Sequence, residues 1–599
     1  MNKPYEYYNK NINNIKKNLE DINKIINIFS GIRLGIVIIT LILAYYFFVN
    51  DNVEAFIINL SCGTFIFICI AILHNGKINK KNIELKKLEY NERGIKRLNG
   101  EWRSFKDNGA EFLEKNHNFS ADLDIFGDSS LFQWINTTKT KFGREKLAKI
   151  LRVNKLPEKY DIYDSQEAIK ELVNKREFCE KIYIETARKN KKKANGDEVV
   201  KWSKEKETIN KTIKYIPYFF IIITTIMIFL VITKRLSISY LILNLIINYL
   251  VVKLLTRQLS NVIDIFVENK YEIRFYSKIL SLIEYEEFNS KKITAIQKKL
   301  RNGGKSCSKE LSRLNNIVNW IGDSVGNAYY FIINTVIMSD VFILYNLQKW
   351  RIENGQYLEE WIEVMGEIEA LCSLSNIAFE NPQWSYPKIS LDKEIQAKKL
   401  GHPLLGSSAS VNSFGFKNEE KVALITGSNM SGKSTFLRTV GFNMILSYIG
   451  APTFSEGFRC GIFNIFTCMR TQDNLEENTS SFYAEILRIK LVIAAAKKGE
   501  QIFFLLDEIF KGTNSNDRHE GATILIEQLV KANAMGLVST HDFELCDLEN
   551  SKKWLVNYNF REYYEENNIK FDYILRKGRS ETRNAKHLMR LAGIDIDEK

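Results

Sequence analysis

Residues 425–441 read ITGSNMSGKSTFLRTVG. Gly427, Ser428, Asn429, Met430, Ser431, Gly432, Lys433 and Ser434 fit the spacing G-x-x-x-x-G-K-S, and Thr435 follows. The run before it, VALIT (422–426), reads as a buried strand, and FLRTVGFNMIL (436–446) reads as a helix. Strand, loop and helix in that order are what the pattern needs. Its glycines let backbone N–H groups close around a phosphate at the start of a helix. Lys433 is placed to meet the outer phosphates, and the Ser434 hydroxyl to ligand Mg²⁺. Residues 427–435 are therefore expected to hold ATP with Mg²⁺.

Two further runs complete the expectation. IFFLL (502–506) leads into Asp507 and Glu508. An aspartate at a strand's end can hold Mg²⁺ through water, and the adjacent glutamate can polarise the attacking water. GLVS (536–539) delivers Thr540 and His541, with His541 expected to reach the γ-phosphate. Strands alternating with helices predict an α/β domain on a parallel sheet. Glu508, His541 and Lys433 are the candidate catalytic residues, with Ser434 and Asp507 the candidate metal ligands.

GSNMSGKST, with its Asn-Met before the second glycine, resembles the loop of the MutS family of DNA mismatch-repair ATPases. Four other stretches carry the same resemblance: Asp473-Asn474-Leu475, the run Thr479 to Glu485, LLDEIFKGTNSNDRHEG (505–521) and STHDFEL (539–545). His402-Pro403-Leu404-Leu405 and AKHLMRLAGI (585–594) sit where the family has similar words. More weakly, SSLFQWINTTKTKFGREKLAKIL (129–151) and IEALCSLSNIA (368–378) resemble the two ends of its helical core. The resemblance implies a P-loop ATPase, ABC/MutS-like, that hydrolyses ATP as a homodimer. Ser480 of one subunit would complete the other's site in trans, Asn429 would sense the nucleotide, and Thr513, Asn514 and Asp517 would lie along the seam.

The chain also departs from that family. Asn478 stands where the family usually has glycine, and no aromatic residue near Val411-Asn412 offers to stack on adenine. No room is expected for an N-terminal mismatch-reading domain. Leu34–Val49, Ala55–Leu73, Tyr215–Thr233 and Leu236–Leu255 are instead apolar nearly all round, each approaching the roughly 20 residues that cross a bilayer. The competing reading, four buried core helices, would need a polar stripe of helical period, which only Asn244 and Asn248 begin to supply.

A basic excess has two ordinary readings, nucleic acid and anionic lipid, and its placement here favours lipid headgroups or topology control over DNA. The net charge is +13, yet residues 401–599 hold 24 Lys and Arg against 25 Asp and Glu, so the excess lies earlier in the chain. Lys77, Lys80, Lys81, Lys86 and Lys87 follow one apolar pair, and Lys191, Lys192 and Lys193 precede the other. That pattern predicts a four-span cell-membrane protein with its N-terminus and ATPase domain cytoplasmic. A fifth apolar run, Tyr329–Tyr345, contains Asn334 and Asp340 and is expected to be a buried helix of the soluble part. The eight cysteines form no C-x-x-C pair, so neither a zinc site nor a disulfide framework is expected.

The expected layout is a cytosolic segment (1–32), a first hairpin (33–75), a helical segment (76–210), a second hairpin (211–256), an all-α lever or core (257–400) and the ATPase domain (401–599). Membrane lipid, a second copy of the chain, and DNA or an unknown protein are the expected partners. The favoured function is a membrane-anchored MutS-like ATPase whose dimer closure moves a helical core. The alternatives are a strict DNA mismatch-repair protein and an ABC-type transport ATPase. The last is opposed by the scarcity of intramembrane charge and by the non-LSGGQ signature.

Overall fold

The apolar runs around the phosphate-binding pattern become neighbouring strands. The computed structural model describes residues 3–114, 116–187, 196–205, 211–257, 259–324, 328–469, 481–510, 514–565 and 568–579. Its strands are β1 (Lys388–Ile389), β2 (Ile395–Leu400), β3 (Asn412–Gly415), β4 (Val422–Thr426), β5 (Gly457–Cys460) and β6 (Asn464–Cys468). They continue as β7 (Ile502–Asp507), β8 (Met535–Ser539), β9 (Leu555–Asn559), β10 (Glu562–Glu565), β11 (Asn568–Phe571) and β12 (Arg576–Lys577). A six-stranded sheet runs in the order β12-β9-β4-β8-β7-β6, parallel throughout except for β12. Every residue of β4 and β8 is buried, which is why they read as unbroken apolar runs rather than alternating ones. Ser539 pairs with Ile425 on one side and Asp507 on the other, so the carboxyl ends of β4, β8 and β7 lie abreast.

A second, mixed sheet takes the order β1-β5-β2-β3. Gln396 of β2 pairs with both Gly415 and Arg459, so strands before residue 401 already belong to the C-terminal domain. By contact density the chain forms two units. One is Met1–Asn136, Leu147–Asn174 and Cys372–Lys599; the other is Thr137–Lys146 and Lys175–Leu371.

In the first unit, helices Lys3–Val49 and Val53–Leu98 form a long hairpin, its tip capped by Asn52 Oδ1 accepting from the Ala55 amide at 3.1 Å. Tyr8, Ile12, Ile15, Leu19 and Ile22 are buried along the first helix. Their alternating four- and three-residue steps are the seam of a coiled coil. Where the helices meet at their base, Gly94 leaves room for the Tyr8 ring, which comes within 2.3 Å of where a Cβ would stand. Beyond residue 33 the apolar side chains turn outward: Leu34, Leu41 and Ile42 are all more than 60% exposed. Both helices are long and apolar enough to cross a membrane, as are Thr212–Ile232 and Ile238–Leu255.

The second unit is helical. Its core stacks Trp202 on Trp350 (ring centroids 6.3 Å apart), with Phe266 edge-on to Trp202 at 4.7 Å. The Thr138-Lys139-Thr140 stretch has a structural role here. The Thr140 hydroxyl accepts from the Gly143 amide at 2.9 Å and donates to the buried Glu369, which also accepts from the Lys139 amide at 2.9 Å. Burial pushes the Glu369 carboxyl above its usual range, and those hydrogen bonds oppose the rise.

In the same unit the polar pair of the second hairpin is accounted for. Asn244 and Asn248 both donate to the Thr224 hydroxyl, at 2.8 and 3.0 Å. The fifth apolar run departs from expectation. It is not one buried helix: Ala328–Ile337 and Ser339–Glu380 meet at Met338 with a 76° bend, and Phe331, Ile332, Ile333 and Ile337 are exposed. Met338 takes a left-handed φ of 53°, and at the start of the new helix the Ser339 hydroxyl donates to the Tyr330 hydroxyl at 2.7 Å.

Candidate nucleotide site

The loop from Gly427 to Gly432 joins β4 to the helix Lys433–Tyr448. Gly427 has no alternative: a Cβ there would meet Ser431 Oγ at 2.7 Å and the Phe560 carbonyl at 2.9 Å. Gly432, at φ 104°, brings the loop round into the helix in a conformation that side chains rarely adopt. Met430 accepts a φ of 66° in the same turn. Ser431 Oγ is buried and has no hydrogen-bond partner among the described residues, a polar group suited to a phosphate.

Lys433 is 4% exposed. Its ammonium donates to the Gly427 and Ser428 carbonyls, both at 3.0 Å, and stands 3.8 Å from Glu508 Oε1. His541 Nε2 lies 3.0 Å from Glu508 Oε1, 2.7 Å from Asn429 Oδ1 and 3.2 Å from Lys433 Nζ. Two of those neighbours are acceptors and the third is a donor, so the Nε2–H tautomer fits the surroundings. Three expected site residues from two other segments thus converge on the His541 imidazole nitrogen.

The backbone aims Glu508 there. Its φ of 51° is left-handed, and its amide donates to the Ser539 carbonyl at 3.0 Å. The chain turns out of β7 at this residue at a conformational cost of order 1–3 kcal/mol, of a kind that collects at functional sites. Asp507, one residue earlier, stays in the sheet and accepts from the Ser539 hydroxyl. The Ser434 hydroxyl and the Asp507 carboxylate are hard oxygen donors, the chemistry that suits Mg²⁺.

A cavity of about 400 Å³ opens beside the loop. Asn429, Met430, Gly432, Lys433, Ser434, Thr435 and Glu508 form one side of it; Asp507 is not in its wall. The other side includes His402 and Asn412, from stretches already compared with the family, together with Phe560 and Tyr573, which the sequence did not announce. Asn412 holds Tyr573 from the far end of the domain, donating to the Tyr573 carbonyl at 3.0 Å and accepting from the Leu575 amide at 2.8 Å. The Tyr573 ring lies 3.1 Å from where a Cβ on Gly432 would stand. An aromatic residue is therefore present at the pocket although none stands at the place near Val411 where the resemblance expects one to stack on adenine. His402 is buried, and burial with Arg438 nearby pushes its pKa down to about 4, so it is neutral at pH 7. The Ser428 hydroxyl donates to Glu562 at 2.8 Å, a second contact that local sequence did not announce.

Ser480 and Thr513 lie outside the described residues, as do Asn478 and residues 585–594. The segment following Ser480 forms the helix Ser481–Lys497, where buried Glu485 accepts from the Phe510 amide and ties that helix to the turn after Glu508. Asn514 and Asp517 act within their own helix. Asn514 Oδ1 accepts from the Asp517 amide at 2.8 Å as the N-cap of Ser515–Lys531.

Residues 423–596 match the family model of MutS domain V. Similar curated proteins carry the name DNA mismatch repair protein MutS. That of Persephonella marina is 31% identical over 235 residues, covering 38% of this chain and 27% of its own length. That of Natronomonas pharaonis is 29% identical over 243 residues, 40% of this chain and 28% of its own. That of Thermotoga petrophila is 29% identical over 247 residues, 40% of this chain and 31% of its own. The chain thus spans under a third of the length of these relatives. The sheet, the loop and the matched span agree: the C-terminal domain is similar to MutS domain V, a domain of the P-loop ATPase type.

Proposed function

We propose that the protein is an ATP hydrolase of the MutS type, anchored in the cell membrane by two helical hairpins, with its N-terminus and ATPase domain cytoplasmic. It works as a homodimer in which Ser480 of each subunit completes the partner's site. Dimer closure on ATP drives movement of the helical core, which acts on DNA or on a membrane-proximal protein. The observation that carries the catalytic reading is the meeting of Asn429, Lys433 and Glu508 at His541 Nε2 beside the cavity.

The division of labour follows from that geometry. Loop amides and the start of the Lys433–Tyr448 helix hold the phosphates, and Lys433 neutralises their charge. Glu508, oriented by His541, accepts the proton of the attacking water. Asn429 touches the same imidazole, so a change at the phosphate is felt by the group that orients the base. Ser434 and Asp507 would hold Mg²⁺, which would supply positive charge against the charge developing on the transferred phosphoryl group. Tyr573 offers a face for the base.

Glu508→Gln tests this directly. It should bind ATP and lose turnover by about 10²- to 10⁴-fold, the usual contribution of a positioned base. Unchanged turnover would reject Glu508 as the base. Resistance to carbonate extraction tests the anchoring separately. The relatives' name favours DNA as the thing acted on, and comparing matched with mismatched duplexes distinguishes general binding from mismatch repair in the strict sense.

A further inference from the structure

The bent segment in the second unit presents a surface that the four-span reading leaves unused. Ala328–Ile337 exposes Phe331 (56%), Ile332 (63%), Ile333 (42%) and Ile337 (43%). The helix also packs on the second hairpin, with Phe331 at the edge of that contact. Asn248 donates to the Thr335 carbonyl at 3.0 Å, the Tyr249 and Phe331 rings lie 5.3 Å apart, and Met338 and Val341 cluster with Val252. The exposed face continues that of the hairpin, where Ile246, Ile247 and Leu250 are also exposed. A continuous apolar surface of this kind is costly in water.

The polar groups are arranged for a dry setting. At the break, the Tyr330 hydroxyl and Asn334 Nδ2 both donate to Asp340, each at 2.7 Å. Asn334 Oδ1 in turn accepts from the Asp340 amide at 3.0 Å and the Ser339 hydroxyl at 3.2 Å. The side chains thus satisfy the interruption from within, as hydrocarbon requires. Depth follows from the hairpin: Asn248 is seven residues before Leu255, about 10 Å along the helix from its end. At that end stand cations and aromatic rings of the kind found at a bilayer surface. Lys214 lies 4.6 Å from the Tyr215 ring, and Tyr218 packs on Phe342 at 5.3 Å. Ten residues of helix reach about 15 Å, half of the hydrocarbon thickness, so this element cannot cross.

We propose that Ala328–Ile337 is a third membrane element of this unit: a helix embedded in the leaflet that holds the chain ends of the second hairpin, with lipid acyl chains as its partner. The proposal rests on the reading of that hairpin as membrane-spanning.

Spin labels test it in the full chain carrying Cys62→Ser and Cys69→Ser, the exposed native thiols, reconstituted in phosphatidylcholine–phosphatidylglycerol vesicles. Labels are placed singly through Ile332→Cys, Ile333→Cys, Phe229→Cys in the hairpin, and Ile352→Cys on the long helix. Collision with oxygen reports hydrocarbon, and collision with a water-soluble nickel chelate reports solvent. At Ile332 and Ile333 the oxygen-to-nickel ratio should match that at Phe229 and exceed that at Ile352 by at least about tenfold. Nickel-accessible labels at both Ile332 and Ile333, with Phe229 still in lipid, overturn the proposal and leave the hairpin reading intact. Labels there shielded from both reagents overturn it too, because a protein surface then covers the face. A nickel-accessible label at Phe229 removes the hairpin reading, and the proposal falls with it.

Discussion

Arg97 closes on Glu380 with three hydrogen bonds: Nε reaches both carboxylate oxygens at 2.8 and 2.9 Å, and Nη2 reaches Oε1 at 2.6 Å. The Tyr8 hydroxyl adds a fourth at 2.9 Å. The two charged side chains are 1% and 3% exposed. Glu380 ends the long helix that begins at Ser339, while Tyr8 and Arg97 stand at the base of the first hairpin. The start of the C-terminal domain and the hairpin's foot are therefore tied together through one carboxylate.

Removing one partner of such a pair leaves the other charge buried and unpaired. Arg97→Met should lower the unfolding free energy by about 3–5 kcal/mol, read from chemical denaturation in detergent. Arg97→Lys should recover only part of the loss, since an ammonium cannot match the bidentate geometry. A full recovery by lysine would show that charge alone matters.

His541 is expected to act by orienting Glu508. His541→Ala should lower kcat while changing KM for ATP little, and adding Glu508→Gln should cost scarcely more than Glu508→Gln alone. Additive losses in the double variant would mean that the two residues act independently.

Tyr573→Ala should raise KM for ATP by a factor corresponding to about 1–3 kcal/mol of lost stacking, and Tyr573→Phe should be near neutral. Binding of inorganic triphosphate, which has no base, should be unchanged by either. Equal weakening of both ligands would assign Tyr573 to the shape of the loop instead.

His402 gives the domain an acid sensitivity of calculable sign. Its folded pKa, about 4, lies below the ordinary value of 6.5, so between these values the unfolded chain binds the extra proton. Stability should be fully present above about pH 6.5 and fall as pH drops towards 4, with a slope of up to about 1.4 kcal/mol per unit from this residue. His402→Gln should flatten that part of the profile measured by chemical denaturation.

If Ser480 completes a partner's site, ATPase activity per molecule should rise with protein concentration in detergent. Turnover strictly independent of concentration would point to a site complete in one chain.

The sequence announced the centre of the site far better than its rim. VALIT, IFFLL and GLVS are legible because parallel strands buried on both faces must be apolar throughout. Lys433, Glu508 and His541 follow at the ends of those runs. By contrast β9, LVNYN, mixes Asn557 and Asn559 into a buried strand, where Asn559 donates to the Gly578 carbonyl at 2.8 Å, and so it breaks the apolar pattern. Tyr573 reaches the pocket from 161 residues beyond Asn412, a distance at which no local pattern carries information. Tyr329–Tyr345 reads as one helix because its apolar run hides the break at Met338, where Asn334 donates to Asp340.

The coiled seam from Tyr8 to Ile22 has a geometric corollary. At about 1.5 Å per residue, the stretch from Tyr8 to Arg33 makes a strut of roughly 40 Å between the clamp at Glu380 and the apolar run that begins at Leu34. With its upper part seated in a bilayer, such a strut sets a fixed standing height. Copies so carried would meet by lateral diffusion in two dimensions, and their pairing would then track how crowded the membrane is rather than how much protein the cell contains.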